Sequence, residues 1–290
     1  MKKVRLIRIL LPPIRVHVWG GFGSQLFALI VAWRISERFK YRRIRLVFHT
    51  SGVTERVREL PRHWLTDFLI QEVRDFKHLK QGAPDSQTYR SKKMFVNLIP
   101  ELLVRSGFLN RANSNQDFKV LKPWVYEIRG HYSGFLLKDS EIAKLANLIH
   151  LESEVPATHQ VSIHYRLGDL LSLASKTYIE PTRVNCILAD ICERHVPTVI
   201  FSDSNGRDLS EVLGSVFQNR AVSFAQLSPI DTIRYCVNSS FFVGTNSKIS
   251  LWITIFRSRH GQLSAIPKEL GDHLNHELDL PNSNHNVLIY

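Results

Sequence analysis

Residues 161–171, VSIHYRLGDLL, contain the pattern that decides the fold. Apolar residues alternate with polar ones at the start of this stretch, which predicts a β-strand. The pattern breaks at Gly168 and Asp169, where a turn or a helix can begin. Arg166 and Asp169 therefore follow the carboxyl end of a strand, the edge at which open α/β sheets bind ligands. A surface salt bridge in a loop is the alternative, because such pairs are common and weak.

The rest of the second half repeats the order of strand, polar loop and helix. Strands are predicted at 198–201, 221–224 and 241–243, and a helical pattern follows each of them. This alternation predicts βαβ units and a parallel sheet, whose strands end at one common edge. Residues 257–290 are expected to form loop and weak helix. The polar residues expected at the common edge are Arg166, Asp169, Ser202, Asp203, Asn246 and Ser247.

The first half begins with a predicted strand at 15–19, a glycine turn at 20–23 and a helix at 25–39. Ser24 is expected to cap this helix. Free N–H groups at such a helix start can hold an anion. A purely structural turn is the alternative, since many strand-to-helix turns need glycine. Residues 56–76 are predicted to be helical.

A second candidate edge site lies later in the first half. A predicted strand at 124–128 ends in a polar and aromatic segment that contains His131 and Tyr132. A periodic helix is predicted at 139–151. Residues 152–160 show no periodicity and contain a proline, so the domain boundary is expected there, between domains at 1–155 and 156–290.

The overall composition is that of a globular protein. The 290 residues, 44% hydrophobic and 22% charged, suit one large or two medium domains. The longest apolar run, 26–33, is far shorter than the ~20 residues of a membrane span. Residues 1–11 lack a signal-peptide cleavage pattern. Three cysteines, an odd number without zinc spacing, predict reduced thiols in a cytoplasmic protein.

The positive charge is concentrated in the first half of the chain. Residues 1–150 hold 27 Lys and Arg against 12 Asp and Glu, a net charge of +15. Residues 151–290 hold 11 against 14, a net charge of −3. The first half is therefore expected to face an anionic partner, for which membrane lipid, nucleic acid and a phosphorylated substrate all qualify. Solvated basic helices are the alternative.

Four segments in order resemble the α-1,2-fucosyltransferases of glycosyltransferase family 11, and more broadly the fucosyltransferase superfamily. Residues 20–27, GGFGSQLF, are similar to the family's G-G-x-G-N-Q-L-F, and residues 164–169, HYRLGD, to its H-x-R-x-G-D. Residues 201–204, FSDS, resemble F-S-D-D, and residues 244–252, GTNSKISLW, resemble A-N-S-S-F-S-W-W. Each motif alone is weak, whereas four in order are specific.

The resemblance implies a GT-B fold, in which two Rossmann-like domains face each other across a cleft. It implies GDP-β-L-fucose as the donor substrate, inversion at the sugar carbon, no metal and no other cofactor. A galactoside hydroxyl in surface polysaccharide or glycan synthesis is the implied acceptor. Catalysis is expected from Arg166 and Asp169, and acceptor binding from His131 and Tyr132. The expected donor-binding residues are Gly21, Gly23, Ser24, Gln25, His164, Ser202, Asp203, Asn246 and Ser247.

The residues themselves agree with metal-free chemistry in one respect. The chain contains no D-x-D pair that could hold a metal against a diphosphate. Fixed positive groups must then stabilise the leaving nucleotide, and Arg166 together with the helix start after Asn246 and Ser247 are available. One charge-assisted hydrogen bond contributes about 1.5–3 kcal/mol, or roughly 10- to 150-fold in rate if it forms fully only in the transition state.

Several positions depart from the family motifs. Ser24 stands in place of an asparagine expected near the donor sugar, Leu167 in place of an arginine, and Ser204 in place of an aspartate. Lys248 and Leu251 also break the last motif. A serine is shorter than asparagine and lacks its amide donor, so the identity of the sugar stays open. A divergent transferase and an inactive relative both fit these departures.

Individual roles are predicted with their alternatives. Arg166 is expected to bind the β-phosphate of the donor. His164 is either a site residue or a core histidine, and Asp203 either accepts from guanine or caps a helix. Trp252 and Phe256 are predicted to be core residues. The general base is not identified by the sequence, and His131, Tyr132 and Asp169 are candidates by position alone.

Other functional classes remain open at this point. A polyanion- or nucleic-acid-binding module would explain the basic first half, although the chain has no recognisable nucleic-acid motif. A non-catalytic sugar-binding relative, or transfer of another sugar or to a protein hydroxyl, fits the same motifs. A basic first half would also suit a cytoplasmic enzyme in peripheral contact with the inner face of an anionic membrane, acting on a lipid-linked glycan.

Overall fold

The chain forms two compact units, Met1–Phe135 and Leu136–Tyr290. Each is built on its own parallel β-sheet, so the α/β prediction with parallel sheets is confirmed. The computed structural model describes residues 12–49, 58–73, 98–113, 121, 124–130, 132, 137–151, 158–168, 178–204, 211–213, 216–217, 220–270 and 286–290.

The first unit holds a five-stranded sheet in the order β3-β2-β1-β5-β4, with every neighbouring pair parallel. The strands are β1 (Ile14–Val18), β2 (Ile44–His49), β3 (Leu69–Val73), β4 (Asn110–Asn113) and β5 (Val125–Arg129). The helices are α1 (Phe22–Arg38) and α2 (Leu98–Arg105), and a 3₁₀ turn covers Arg62–Leu65. All five residues of β1 are buried, as expected for a central strand that is covered on both faces.

The second unit holds a six-stranded sheet in the order β11-β10-β9-β6-β7-β8, again parallel throughout. Its strands are β6 (Thr158–His164), β7 (Thr198–Phe201), β8 (Val222–Ala225), β9 (Ser239–Gly244), β10 (Ser264–Ile266) and β11 (Val287–Ile289). Its helices are α3 (Asp139–Ile149), α4 (Pro181–Ile191), α5 (Pro229–Val237) and α6 (Lys248–Arg259).

Helix α6 packs inside the second unit. Trp252 and Phe256 are fully buried, and their rings stack with centroids 5.7 Å apart. Their prediction as core residues is confirmed. Gly244 at the end of β9 permits this close packing, because a Cβ atom there would lie 2.7 Å from the Cβ of Ser250 in α6.

A buried arginine joins the elements around α6. Arg257 is fully buried, and its Nε donates to Ser264 Oγ at 3.1 Å. Burial lowers its pKa to about 10, so the guanidinium keeps its charge at neutral pH. The charge is favourable at the carboxyl end of α5, where the helix dipole is negative. Its Nη atoms donate to the carbonyl oxygens of Cys236, Val237, Ser239, Ser240 and Leu263 at 2.7–3.3 Å.

Two expectations about secondary structure need correction. The predicted helix at 56–76 is wrong across its described part, which forms the 3₁₀ turn and β3, because pairing with β2 outweighs local helix propensity. Residues 257–290 contain β10 and β11 rather than loop and weak helix alone.

The division between the units falls before α3 rather than after residue 155. Helix α3 belongs to the second unit because two of its residues are bound there. Arg234 Nε donates to Ile149 O at 2.7 Å, and Arg259 Nε donates to Asp139 Oδ1 at 2.8 Å.

Candidate functional site

The second sheet has one point at which the direction of strand addition reverses. From β6 the chain adds β7 and β8 on one side, and β9, β10 and β11 lie on the other. In open α/β sheets, ligands bind beyond the carboxyl ends of the two strands at such a switch point. Arg166 follows β6 and residues 245–247 follow β9, so the predicted site residues Arg166, Asn246 and Ser247 lie at this position.

Thr245 joins the ends of β6 and β9. Its Oγ1 accepts from Arg166 N at 2.9 Å and donates to His164 O at 3.0 Å, while its own N–H donates to His164 O at 3.1 Å. These bonds fix the backbone from which the half-buried Arg166 side chain projects. The sequence placed Thr245 at a strand end but offered no signal that separated it from Asn246 and Ser247.

Asp203 shapes the loop after β6. Its Oδ1 accepts from Leu167 N at 3.1 Å and from Gly168 N at 3.0 Å. A Cβ atom at position 168 would lie 2.9 Å from Cγ of Asp203, so a larger residue there would displace this carboxylate. The motifs that follow β6 and β7 are therefore in direct contact. The two predicted roles of Asp203, binding guanine or capping a helix, are joined by a third, the shaping of this loop.

His164 is a buried residue between β6 and α6. It is 6% exposed, and its Nδ1 lies 2.8 Å from Ser250 Oγ. Burial lowers the pKa of His164 to about 4, so the imidazole is neutral at physiological pH. This environment is that of the core histidine rather than of an open ligand contact.

The start of α6 points toward the same switch point. Ser247 is its N-cap, and Ser247 Oγ accepts from Ile249 N at 3.2 Å. The first turn contains no acidic residue, so the positive end of the helix dipole is not neutralised within the helix. Asn246 is half-buried beside it. Directly after β7, Ser202 Oγ accepts from Ser204 N at 3.2 Å, which stabilises the turn that carries Asp203.

Two predicted site residues, Asp169 and His131, lie outside the described residues. Their expected roles in catalysis and acceptor binding therefore remain predictions. Within the described ranges, no group of three or more His, Cys, Asp or Glu side chains is arranged to hold a metal ion.

The glycine turn of the first unit is built differently from the expectation. Helix α1 begins at Phe22 with Gly21 as its N-cap and without a side-chain cap, so the expected capping by Ser24 is wrong. Ser24 lies inside the first turn, where its N–H donates to Gly21 O at 2.9 Å. Gly20 has a φ angle of +74°, the left-handed region that favours glycine. Gly23 is buried in the same turn.

Gln25 holds the glycine turn in place. It is 2% exposed, and its Nε2 donates to Gly20 O at 3.0 Å. Its Oε1 accepts from Glu59 N at 2.9 Å and from Leu60 N at 3.3 Å. Both ends of the amide are thus bound to backbone, which gives Gln25 a structural role in place of the direct donor contact implied by the motif.

Tyr132 is buried rather than presented to a ligand. It is 3% exposed, and its hydroxyl lies 2.6 Å from His17 O and 3.0 Å from Ile128 O. A hydroxyl carries one proton, and here that proton is shared between two backbone carbonyls. Burial raises the pKa of Tyr132, so it stays protonated. The predicted contact between Tyr132 and an acceptor is therefore replaced by a bond that joins β1 to β5.

The first sheet also has a switch point, and polar residues that no sequence motif marks lie beside it. The chain adds β2 and β3 on one side of β1 and β5 and β4 on the other. Glu127 of β5 is 1% exposed and accepts from Arg129 Nη2 at 2.7 Å and Arg111 Nε at 3.0 Å. Arg15 Nη1 lies 3.4 Å away. The adjacent His17 ring, together with Arg129 and Arg111, holds the pKa of Glu127 below its usual range, against the effect of burial.

A row of rings continues from Glu127 across the carboxyl ends of β1 and β2. His17 Nε2 lies 3.8 Å from Glu127 Oε1, and His17 Nδ1 lies 2.9 Å from His49 Nε2. The half-buried Trp19 stacks on His49 with centroids 3.7 Å apart. Burial lowers the pKa of both histidines, that of His49 to about 2, so both rings are neutral at physiological pH. The row depends on strand register, which single-sequence reasoning does not supply.

Comparisons with known proteins give little further support. No family model matches the chain, and no curated protein matches it. Among solved structures, the chain is similar to a crystal structure of NodZ alpha-1,6-fucosyltransferase soaked with GDP-fucose. The identity is 12%, the TM-score is 0.37, and the alignment covers 84% of this chain and 92% of that chain. A TM-score this low carries no argument about the function.

Proposed function

We propose that the protein is an inverting glycosyltransferase that moves L-fucose from GDP-fucose to a hydroxyl group of a glycan. One observation carries the proposal: the segments after β6, β7 and β9, three of the four motif segments, are hydrogen-bonded together at the switch point of the second sheet. The finer proposal is an α-1,2 linkage to a galactoside, as in glycosyltransferase family 11. It rests on the motif resemblance alone.

The donor diphosphate is proposed to bind Arg166 and the amino end of α6. Arg166 has a planar guanidinium that can bind phosphate through two hydrogen bonds. The N–H groups and dipole at the start of α6 add partial positive charge, and Ser247 caps that end. Both features come from rigid strand ends, because Thr245 fixes the backbone of Arg166.

The proposed reaction is a single displacement at the anomeric carbon of fucose. The acceptor oxygen forms a bond to that carbon as the bond to the diphosphate oxygen breaks, and GDP leaves with the electron pair. A base takes the proton of the acceptor hydroxyl. Arg166 and the start of α6 stabilise the charge that develops on the diphosphate, which is the largest electrostatic change in the step. No metal is required in this scheme.

Binding of the donor tests this proposal. Calorimetric titration with GDP-fucose in EDTA, beside GDP-mannose and UDP-galactose, should show selective binding of GDP-fucose. Arg166→Lys keeps the charge but loses the two-point contact, so it should weaken binding about 10-fold or more. Arg220→Lys is the matched control, because Arg220 is half-buried in the same unit but precedes β8 at the amino edge of the sheet.

The other outcomes separate the alternatives. Binding of GDP without preference for fucose would keep the nucleotide site and point to another sugar, in agreement with the serine at position 24 in place of the motif's asparagine. Selective binding without transfer to any glycan acceptor would identify a non-catalytic relative. If no nucleotide binds, or if Arg166→Lys binds as the wild type does, the proposed site is wrong. The cytoplasmic location stays a prediction that cell fractionation tests.

A further inference from the structure

The amino edge of the first sheet, opposite the edge that carries the glycine turn, exposes two aromatic side chains. Phe108 precedes β4 and Trp124 precedes β5, and these strands are neighbours. Their two segments touch, because Asn110 N donates to Trp124 O at 3.0 Å. Phe108 is 70% exposed and Trp124 is 56% exposed. Single exposed apolar residues are common, but two large rings on adjacent segments indicate an interaction surface.

Basic residues share this amino edge. Lys40 and Arg43 lie between α1 and β2, and Arg105 ends α2 just before Phe108. All three are exposed. Glu37, in the last turn of α1, is an exposed acidic residue beside them. The described part of the edge therefore combines aromatic rings with an excess of positive charge.

Hydrogen bonds make these loops one rigid surface. Arg42 Nη1 donates to Val125 O at 2.7 Å, and its Nη2 donates to Pro12 O at 2.5 Å. Arg38 Nη2 donates to Leu121 O at 3.1 Å. The segment between α1 and β2 is thereby tied to the start of β1 and to residues on both sides of Trp124. Strands lie about 4.8 Å apart, so the basic loop and the aromatic rings are within roughly 10–15 Å of each other.

We propose that this amino-edge surface, defined by Lys40, Arg43, Arg105, Phe108 and Trp124, docks the first unit onto an anionic lipid surface. At the boundary between headgroups and acyl chains, a tryptophan can bury its ring while its N–H stays near water, and a phenylalanine buries a purely apolar ring. Lysine and arginine are attracted to lipid phosphates. The same combination of features is typical of proteins that lie on membranes without crossing them.

The distribution of charge along the chain supports this choice of partner. The first 150 residues carry a net charge of +15, whereas the remaining 140 carry −3. In the sequence, residues 1–11 combine Lys2, Lys3, Arg5 and Arg8 with aliphatic residues. None of the helices in the described ranges has the length and apolarity needed to span a bilayer.

Docking through the amino edge leaves the opposite edge of the first sheet accessible. The glycine turn, Trp19 and the end of β5 all lie at the carboxyl edge, one strand length away. A strand of five residues spans about 17 Å. Membrane contact at one edge is therefore compatible with ligand binding at the other. The inference does not depend on the identity of the sugar donor.

The experiment is co-sedimentation of the full chain with vesicles of phosphatidylcholine, with and without phosphatidylglycerol. The wild type should bind only when phosphatidylglycerol is present. Phe108→Ser with Trp124→Ser should weaken binding at least about 10-fold, because two rings no longer leave water. The matched control is Phe224→Ser with Leu227→Ser, which removes two apolar side chains that are 43% and 45% exposed on the second unit. This control pair should bind as the wild type does.

Charge is tested separately from aromatic insertion. Lys40→Gln and Arg43→Gln should each weaken binding about 5-fold, the effect of one basic residue near an anionic surface. All of these residues are exposed, so thermal unfolding should be unchanged and serves as the check on folding. Three outcomes would overturn the inference: no dependence on phosphatidylglycerol, an equal loss in the control pair, or tighter binding to duplex DNA that the aromatic substitutions leave unaffected.

Discussion

Thr245→Val tests how the second unit positions Arg166. Valine keeps the size and branching of threonine but removes the hydroxyl that accepts from Arg166 N at 2.9 Å and donates to His164 O at 3.0 Å. His164 O keeps one partner, because Thr245 N still donates to it at 3.1 Å. Arg166 N loses its acceptor. The substitution therefore acts on one defined donor at the switch point.

The expected cost follows from that lost acceptor. A donor left without its partner in a half-buried position costs about 1–3 kcal/mol of unfolding free energy. For a unit the size of Leu136–Tyr290, each kcal/mol corresponds to a shift of about 2–4 °C in melting temperature. The variant should therefore melt about 2–12 °C below the wild type. Thermal unfolding followed by circular dichroism measures this shift.

The same substitution should also reduce donor binding. The loop that carries Arg166 is no longer fixed, and a misplacement of about 1 Å can cost up to about 100-fold in activity. Titration with GDP-fucose measures the affinity. Thr245→Ser keeps the hydroxyl and should restore both stability and binding. Thr254→Val is the matched control, because Thr254 is fully buried and donates to Ser250 O at 3.0 Å within α6; it should affect stability alone.

Either of two results would contradict this prediction. If Thr245→Val melts at a lower temperature but binds GDP-fucose as tightly as the wild type, the position of Arg166 does not control donor binding. If Thr254→Val lowers the affinity as much as Thr245→Val does, the loss reflects general destabilisation rather than the switch point.

Three further substitutions test other bonds. Arg257→Met should destabilise the second unit by about 3 kcal/mol or more, because several buried carbonyls lose their donor; urea denaturation measures it. Gln25→Leu should cost about 1–3 kcal/mol in the first unit, because Glu59 N and Leu60 N lose their acceptor. His49→Gln should make the free energy of unfolding less dependent on pH below 6.5. Urea denaturation at several pH values measures this dependence.

The sign of the pH effect follows from burial. The pKa of His49 is about 2 in the folded protein against 6.5 in the unfolded chain. Between these values only the unfolded chain takes up the proton, so stability falls as the pH drops, by about 1.4 kcal/mol per pH unit. An unchanged slope in His49→Gln would contradict this explanation. Full stability of Arg257→Met or of Gln25→Leu would show that water replaces the lost bonds.

Much of the second unit follows from local patterns in the sequence. The strand β6 and the polar residues after it are visible because an alternating apolar pattern ends in Arg166 and Gly168. The ends of β7 and β9 are visible for the same reason. No local signal marks Thr245, because its role depends on a bond to the backbone of Arg166, 79 residues earlier and just after β6. Local sequence specifies which residues end a strand, but not which of them will bridge to the next one.

In the first unit, the relations that the sequence does not predict join residues that are far apart in the chain. Leu69–Val73 contains glutamine and glutamate, which favour helices, yet it pairs with β2 as an edge strand. Gln25 acts on backbone groups 34 and 35 residues away. The row from Glu127 to Trp19 requires the register of three strands. None of these relations is periodic, so no local pattern could reveal them.

The pairing of β1 with β5 has a consequence for synthesis of the chain. Arg15 cannot bind Glu127 until the ribosome has added a further 112 residues. At about 5–20 residues per second, a ribosome needs roughly 5–20 s to deliver that partner. During this interval one edge of β1 is open to pairing with other chains, which is how nascent proteins aggregate. During this interval Arg15 keeps a positive charge beside the open edge of β1. This charge opposes the pairing of β1 with another chain.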